Sequence, residues 1–268
     1  MLPLAGSQYP DSHSDLAEAL ILGLARFGVT PRDIRVDGGT FPNVETFRLD
    51  VTGAQLTRTS APMTFSGPMH MPPGATEISV DQIAIEATPI YFEELPLQLH
   101  FWASRAGLAL AHDKSNEPML VFSKAAAGEV TLSTERGDLE MFAHRLAVAA
   151  STKQGIEIKK TTLELTAMTS RKAAFKIEIT AKMFIITAAV VVSGYIEIDE
   201  QLNARLSDLA CSGEGMIASA ANALLKPQLQ KLESRDFALL AFTPGDVKLH
   251  DIVLEAQHTI RLRGSFGA

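Results

Sequence analysis

The sequence predicts an α+β fold, a curved antiparallel β-sheet wrapped around long amphipathic helices, and three observations carry that prediction. Apolar residues recur at helical spacing in three separated segments. Between them the period falls to two, as in strands with one buried face. Hydrophobic residues make up 46% of the chain and charged residues 21%, so more apolar side chains are present than a thin sheet needs to cover itself. With 268 residues the chain can bury a sizeable core, and it reads as one domain over residues 1–268.

The first helix takes Ser14 or Asp15 as its cap, with Glu18 near the reciprocal capping position. Leu16, Leu20, Ile21, Leu24 and Phe27 share one face, and Gly28 ends the helix. Strands follow at 34–36 and 46–51, with Gly38-Gly39 and Phe41-Pro42-Asn43 as the turn between them. Residues 61–76 hold Pro62, Pro68, Pro72 and Pro73 among Met63, Met69 and Met71. Prolines at that density exclude a helix or a central strand and leave a long irregular loop.

From Glu77 the pattern is strands. Ile78 and Val80 alternate, and Ile83 and Ile85 resume out of phase, which predicts a bulge. Leu95, Leu97, Leu99 and Phe101 alternate with Gln98 and His100 opposite. Leu108 and Leu110, Leu120 and Phe122, then Val130 and Leu132 extend a meander. Its turns fall at Arg105-Ala106-Gly107, at 113–116 and at Ala127-Gly128.

The second helix is capped by Ser133 or Thr134, carries Glu135 and Asp138 near its start, and presents Leu139, Phe142, Ala143, Leu146, Ala147 and Ala150 on one face. Strands return over 156–167 and from Ala173, where Phe175, Ile177 and Ile179 alternate with Lys176, Glu178 and Thr180. Over 183–192 both faces become apolar, which predicts passage into a two-sided core with one internal turn. The third helix follows Gly213-Glu214-Gly215, with Met216, Ile217, Ala220, Ala221, Leu224 and Leu225 on its apolar face; at Lys226-Pro227 a kink or a short further helix carrying Leu229 and Leu232 is expected. Alternation at Phe237, Leu239 and Ala241, at Val247 and Leu249, and at Ile260 and Leu262 predicts strands that wrap it.

Several function classes lose support. A net charge of −7 argues against nonspecific nucleic-acid binding, and Lys159-Lys160 and Arg171-Lys172 read as solvated turn residues. A spanning helix needs about 20 consecutive apolar residues, and the best run, 183–192, falls well short. Residues 1–14 lack a secretory start, so without a removed leader the chain is expected in the cytoplasm or at a membrane periphery. Cys211 is alone, which excludes an intrachain disulfide and a cysteine-based zinc site, and it reads as a core thiol. None of the seven histidines stands at metal-ligand spacing, and there is no nucleophile elbow, P-loop or dinucleotide fingerprint. No catalytic residue, metal site or cofactor is assigned. His100 and His112, on neighbouring predicted strands, are the pair around which a hydrolase site could assemble.

The order of features resembles the bacterial LmeA-like phospholipid-binding family, within the tubular lipid-binding (TULIP) superfamily. The resemblance rests on Arg26-Phe27-Gly28-Val29 after the first helix, and on Gly128-Glu129-Val130-Thr131-Leu132-Ser133 leading into Asp138-Leu139-Glu140-Met141-Phe142. It rests also on Leu225-Lys226-Pro227 and on the run from Val247 to Leu254. It implies a TULIP-like fold and non-catalytic binding, by extension transfer, of a phospholipid or other long apolar ligand in a hydrophobic groove. It also implies a cell-envelope setting if a leader was removed; peripheral membrane contact is compatible with the same reading. The lining is then drawn from Leu20, Leu24, Phe142, Leu146, Phe184, Ile186, Ile217, Leu224 and Leu225. Two alternatives stand beside it: a scaffold that pairs its apolar faces with a partner or itself, and a hydrolase with a dispersed site.

Overall fold

The computed structural model describes residues 2–5, 9–56, 77–112, 117–151, 155–183, 185–200, 203–215, 219, 229–231, 233, 236–238 and 247–267. It is mostly β, with 64% strand and 17% helix, which overturns the predicted TULIP-like α+β fold built on long amphipathic helices. The two helices with defined bounds, α1 (His13–Ala25) and α2 (Arg136–Ser151), are 13 and 16 residues long. The surplus apolar residues went into strands that are longer than the sequence suggested.

In chain order the strands before α2 are β1 (Leu2–Pro3), β2 (Asp33–Asp37), β3 (Asn43–Asp50), β4 (Gln55–Leu56), β5 (Glu77–Phe92), β6 (Leu95–His112), β7 (Pro118–Lys124) and β8 (Ala127–Glu135). After it come β9 (Glu157–Thr169), β10 (Lys172–Met183), β11 (Ile186–Ile198), β12 (Asn203–Gly213), β13 (Asp236–Ala238), β14 (Lys248–Ala256) and β15 (Thr259–Gly267). The chain divides into two compact units. The first comprises Met1–Ser133, Leu240–Asp251 and Arg263–Ala268, and the second Thr134–Leu239 and Ile252–Leu262.

The larger sheet runs β14-β15-β8-β6-β5-β3-β2, with β7 beside β6, β1 beside β7 and β4 beside β5. It is mixed and not purely antiparallel, because β3 and β4 run parallel to β5. Parallel neighbours need a long crossover, and the chain between β3 and β5 contains the proline-rich residues 61–76, which lie outside the described residues. β5 and β6 form a long hairpin whose two-residue turn, Glu93-Glu94, has positive φ at both positions, as the twist of paired strands prefers.

The predicted turn at Arg105-Ala106-Gly107 is interior to β6. Arg105 takes φ 45°, opposite Asp81 in the hairpin register, and at this level the buried side chains of β5 switch from Ile78 and Val80 to Ile83 and Ala87. The phase change thus occurs without the predicted bulge; the register shifts only between Ala87 and Ile90.

The first unit's core includes Leu4, Leu16, Leu20, Phe47 and Leu49. α1 is capped by Ser12, earlier than predicted, whose Oγ accepts the Asp15 N–H at 3.2 Å. Gly23 lets α1 lie against the N-terminal strand: a Cβ there would sit 2.2 Å from the Pro3 carbonyl oxygen. Across the sheet, the Phe101 ring lies between Phe122 and Phe266, at 5.1 and 5.3 Å, and the Phe266 ring occupies the space a Cβ on Gly128 would fill.

The second unit is built on a five-stranded antiparallel sheet in the order β13-β12-β11-β10-β9. Met183 pairs with Ile186, which is the internal turn expected in 183–192. The two-sided core expected there does not form: Val190 and Val192 are buried, whereas Ile186 and Ala189 on either face are exposed. Ser133 and Thr134 are not caps of α2 but buried residues of β8. The helix begins at Arg136, whose N–H donates to the His258 carbonyl at 2.8 Å. The expected third helix falls almost entirely outside the described residues.

Candidate apolar ligand face

Strand register sorts the second sheet into two chemically different faces. Antiparallel partners directly opposite each other project to the same side. One row therefore reads Leu163, Ile177, Val192, Cys211 across β9 to β12, and the row beside it reads Thr161, Ile179, Val190, Gly213. A third row sets Leu165 opposite Phe175 and Phe175 opposite Gly194. Gly194 lets neighbouring groups approach closely there. A Cβ would meet Leu209 Cδ2 at 2.6 Å, the Ser207 carbonyl oxygen at 3.0 Å and the Phe175 ring at 3.1 Å. Asp208, with φ 51°, absorbs the register shift opposite Gly194.

The opposite face is polar. Lys172, Glu197 and Arg205 line up across β10, β11 and β12, with Glu197 bonded to both cations. The Lys172 ammonium also lies 4.2 Å from the centre of the Tyr195 ring. The hydrogen bond from Lys172 holds the Glu197 carboxyl below its ordinary range, and the same bond raises the Lys172 ammonium. Lys176 extends this ionic surface, 3.8 Å from Glu164 and 3.7 Å from Glu178. On the apolar face, burial pushes the Cys211 thiol upward, away from the thiolate a nucleophile needs.

Among the described residues, α2 packs on this sheet along β9. Glu140 accepts the Leu163 N–H at 2.8 Å, and the His144 ring hydrogen-bonds Thr161 Oγ1 at 3.1 Å. Phe175, Ile177 and Ile179, on the neighbouring strand, remain only half-buried.

The residues expected to line a groove are distributed between the units. Leu20 and Leu24 belong to the closed core of the first. Phe142, Leu146 and Ile186 belong to the second, with Phe142 half-buried under the Arg145 guanidinium and Leu146 and Ile186 exposed. Phe184, Ile217, Leu224 and Leu225 lie outside the described residues. His100 and His112 sit on one strand, β6, roughly 40 Å apart along it at the usual rise per residue, so they do not form the expected pair. Sequence reasoning passed over Met141, Met168 and Ile185, all exposed; Ile185 follows directly on the strand pattern it ends, and that was the available signal.

No described helix is long and apolar enough to cross a membrane, and no group of three or more His, Cys, Asp or Glu side chains among the described residues is placed to hold a metal ion. Comparison with known proteins finds no matching family model, no matching curated protein and no matching solved structure.

Proposed function

We propose that the second unit binds a phospholipid or another long apolar molecule on the apolar face of its five-stranded sheet, without changing it chemically. One observation supports this most: apolar rows continue from β9 to β12, yet Phe175, Ile177 and Ile179 in the middle of that face are only half-buried. Each acyl methylene that displaces water from such a face gains roughly 0.8 kcal/mol. A ligand of this shape needs few polar contacts to be held, and the face supplies few.

Native mass spectrometry of freshly purified full-length chain, followed by lipid extraction of the same sample, tests the reading. The expected result is a bound mass that reappears as a lipid in the extract and is lost in Ile179→Asp, with far-UV circular dichroism checking that the sheet persists. A clean apo mass that stays clean after incubation with phospholipid vesicles overturns it. Concentration-dependent self-association of that apo chain would assign the face to protein contact.

A further inference from the structure

The β10–β11 hairpin ends in exposed isoleucine. Ile185 is 93% exposed and the adjacent Ile186 46%. A single exposed apolar side chain is ordinary. Two in succession at a tip are not, when the ladder behind them pairs without interruption from Lys172↔Glu197 to Met183↔Ile186 and holds them outward. Charge at the same end supplies the second observation. Lys182 lies opposite Glu157, and Thr180 opposite Lys160, so Lys159, Lys160 and Lys182 gather beside the tip. Among the described residues Glu157 stands with them, and Lys159 pairs with it. Glu214 follows Gly213, which pairs with Val190, and so comes level with Ala189, Thr180 and Lys160. Three lysines against two acids among the described residues leave this end locally positive in a chain whose net charge is −7.

We propose that the hairpin tip docks on the surface of an anionic bilayer, with Ile185 and Ile186 entering between headgroups and Lys159, Lys160 and Lys182 meeting the lipid phosphates. Interfacial binding of this kind needs both components, because apolar burial by two side chains is weak alone and so is attraction by a few lysines. The overall negative charge keeps the rest of the surface off the same membrane. The inference uses residues other than those of the half-buried sheet face, so the two readings stand or fall separately.

The test is co-sedimentation of the full chain with vesicles of phosphatidylcholine alone and of phosphatidylcholine mixed with phosphatidylglycerol. Binding is expected only to the mixed vesicles, and it should weaken as salt is added. Ile185→Ser should weaken it about tenfold, the loss of one buried apolar side chain, and Lys159→Gln with Lys160→Gln should act in the same direction. Because Ile185 is exposed, its variant keeps the fold, which far-UV circular dichroism verifies. Absence of binding to the mixed vesicles, equal binding to both kinds, or binding indifferent to Ile185→Ser overturns the proposal. So does sedimentation velocity showing self-association that Ile185→Ser abolishes, since the tip would then meet a second copy. In native mass spectrometry Ile185→Ser should retain any bound lipid of the parent chain. Retained lipid without vesicle binding sinks the tip alone, and vesicle binding without bound lipid sinks the sheet-face reading alone.

Discussion

In the first unit Leu16, Leu20, Phe47 and Leu49 are at most 1% exposed, whereas in the second Leu163, Ile198 and Val192 keep 5, 6 and 9%, and Met141, Met168 and Ile185 keep more than half their surface. Both units use the same device, strands that alternate apolar and polar residues. What differs is the layer laid over the apolar face. α1 brings Leu16, Leu20 and Leu24 into a continuous cluster with Phe47, Leu49 and Ile83. α2, among the described residues, engages β9 and leaves the centre of its sheet half-covered. Alternation in a sequence specifies which side chains face inward, and the covering element decides how far water is excluded.

Truncations should show that contrast at its largest. Leu20→Ala is expected to cost about 2–5 kcal/mol, the usual range for a closed core. Ile177→Ala, on the half-covered sheet, should cost about 1–2 kcal/mol. Trp102 is the single tryptophan and lies in the first unit, so urea unfolding followed by its emission reports that unit. Leu20→Ala should lower the Trp102 midpoint, whereas Ile177→Ala should leave it in place and lower the far-UV circular dichroism midpoint by less; equal shifts for both changes would erase the distinction.

The glycines sharpen it at intermediate scale. Gly23→Ala forces a methyl against the Pro3 carbonyl, 2.2 Å away, and backbone must move, so about 1–3 kcal/mol should be lost. Gly194→Ala first meets Leu209 Cδ2, the end of a side chain that can rotate, and its effect on urea midpoints should be smaller.

Acid titration gives a smaller effect still, confined to the second unit. The Glu197 carboxyl is lowered from 4.5 by its bond from Lys172, so its contribution is complete above that value and is lost as pH falls through the lower folded one. Lys172 is raised from 10.5, and its share is complete below that value and lost as pH rises through the raised one. Glu197→Gln should therefore cost about 1 kcal/mol at neutral pH and nothing further in acid, seen as a flatter stability profile by far-UV circular dichroism. Ile185→Ser should change stability by less than about 0.5 kcal/mol, as an exposed position does.

The strands themselves were legible. Leu95, Leu97, Leu99 and Phe101 alternate in β6 as read, and Phe175, Ile177 and Ile179 do so in β10. Alternation is a local property, and local properties survive folding. What failed depended on partners. Gly107 looked like a turn residue but sits within β6, beside the side chains of Glu77 and Ser123. Ser133 and Thr134 have the chemistry of helix caps and are buried in a strand, because pairing with β6 extends the strand through Ser133. His100 and His112 were separated into two strands by that same false turn. The candidate face required knowing which rows share a side, and the register shifts at Ser193/Tyr195 and Thr180/Ala181 are not visible in composition.

β9 is the outermost strand of its sheet, and such an edge is a template for any other extended segment that meets it. The carboxylate of Glu140 occupies the Leu163 amide on that edge and sets a negative charge where an incoming strand would have to pair. Glu140 thus fastens α2 and at the same time keeps the Leu163 amide from an incoming strand. Glu140→Ala should accordingly raise turbidity and thioflavin T fluorescence over days, at concentrations where the parent chain stays clear and before any drop in its melting temperature would account for it.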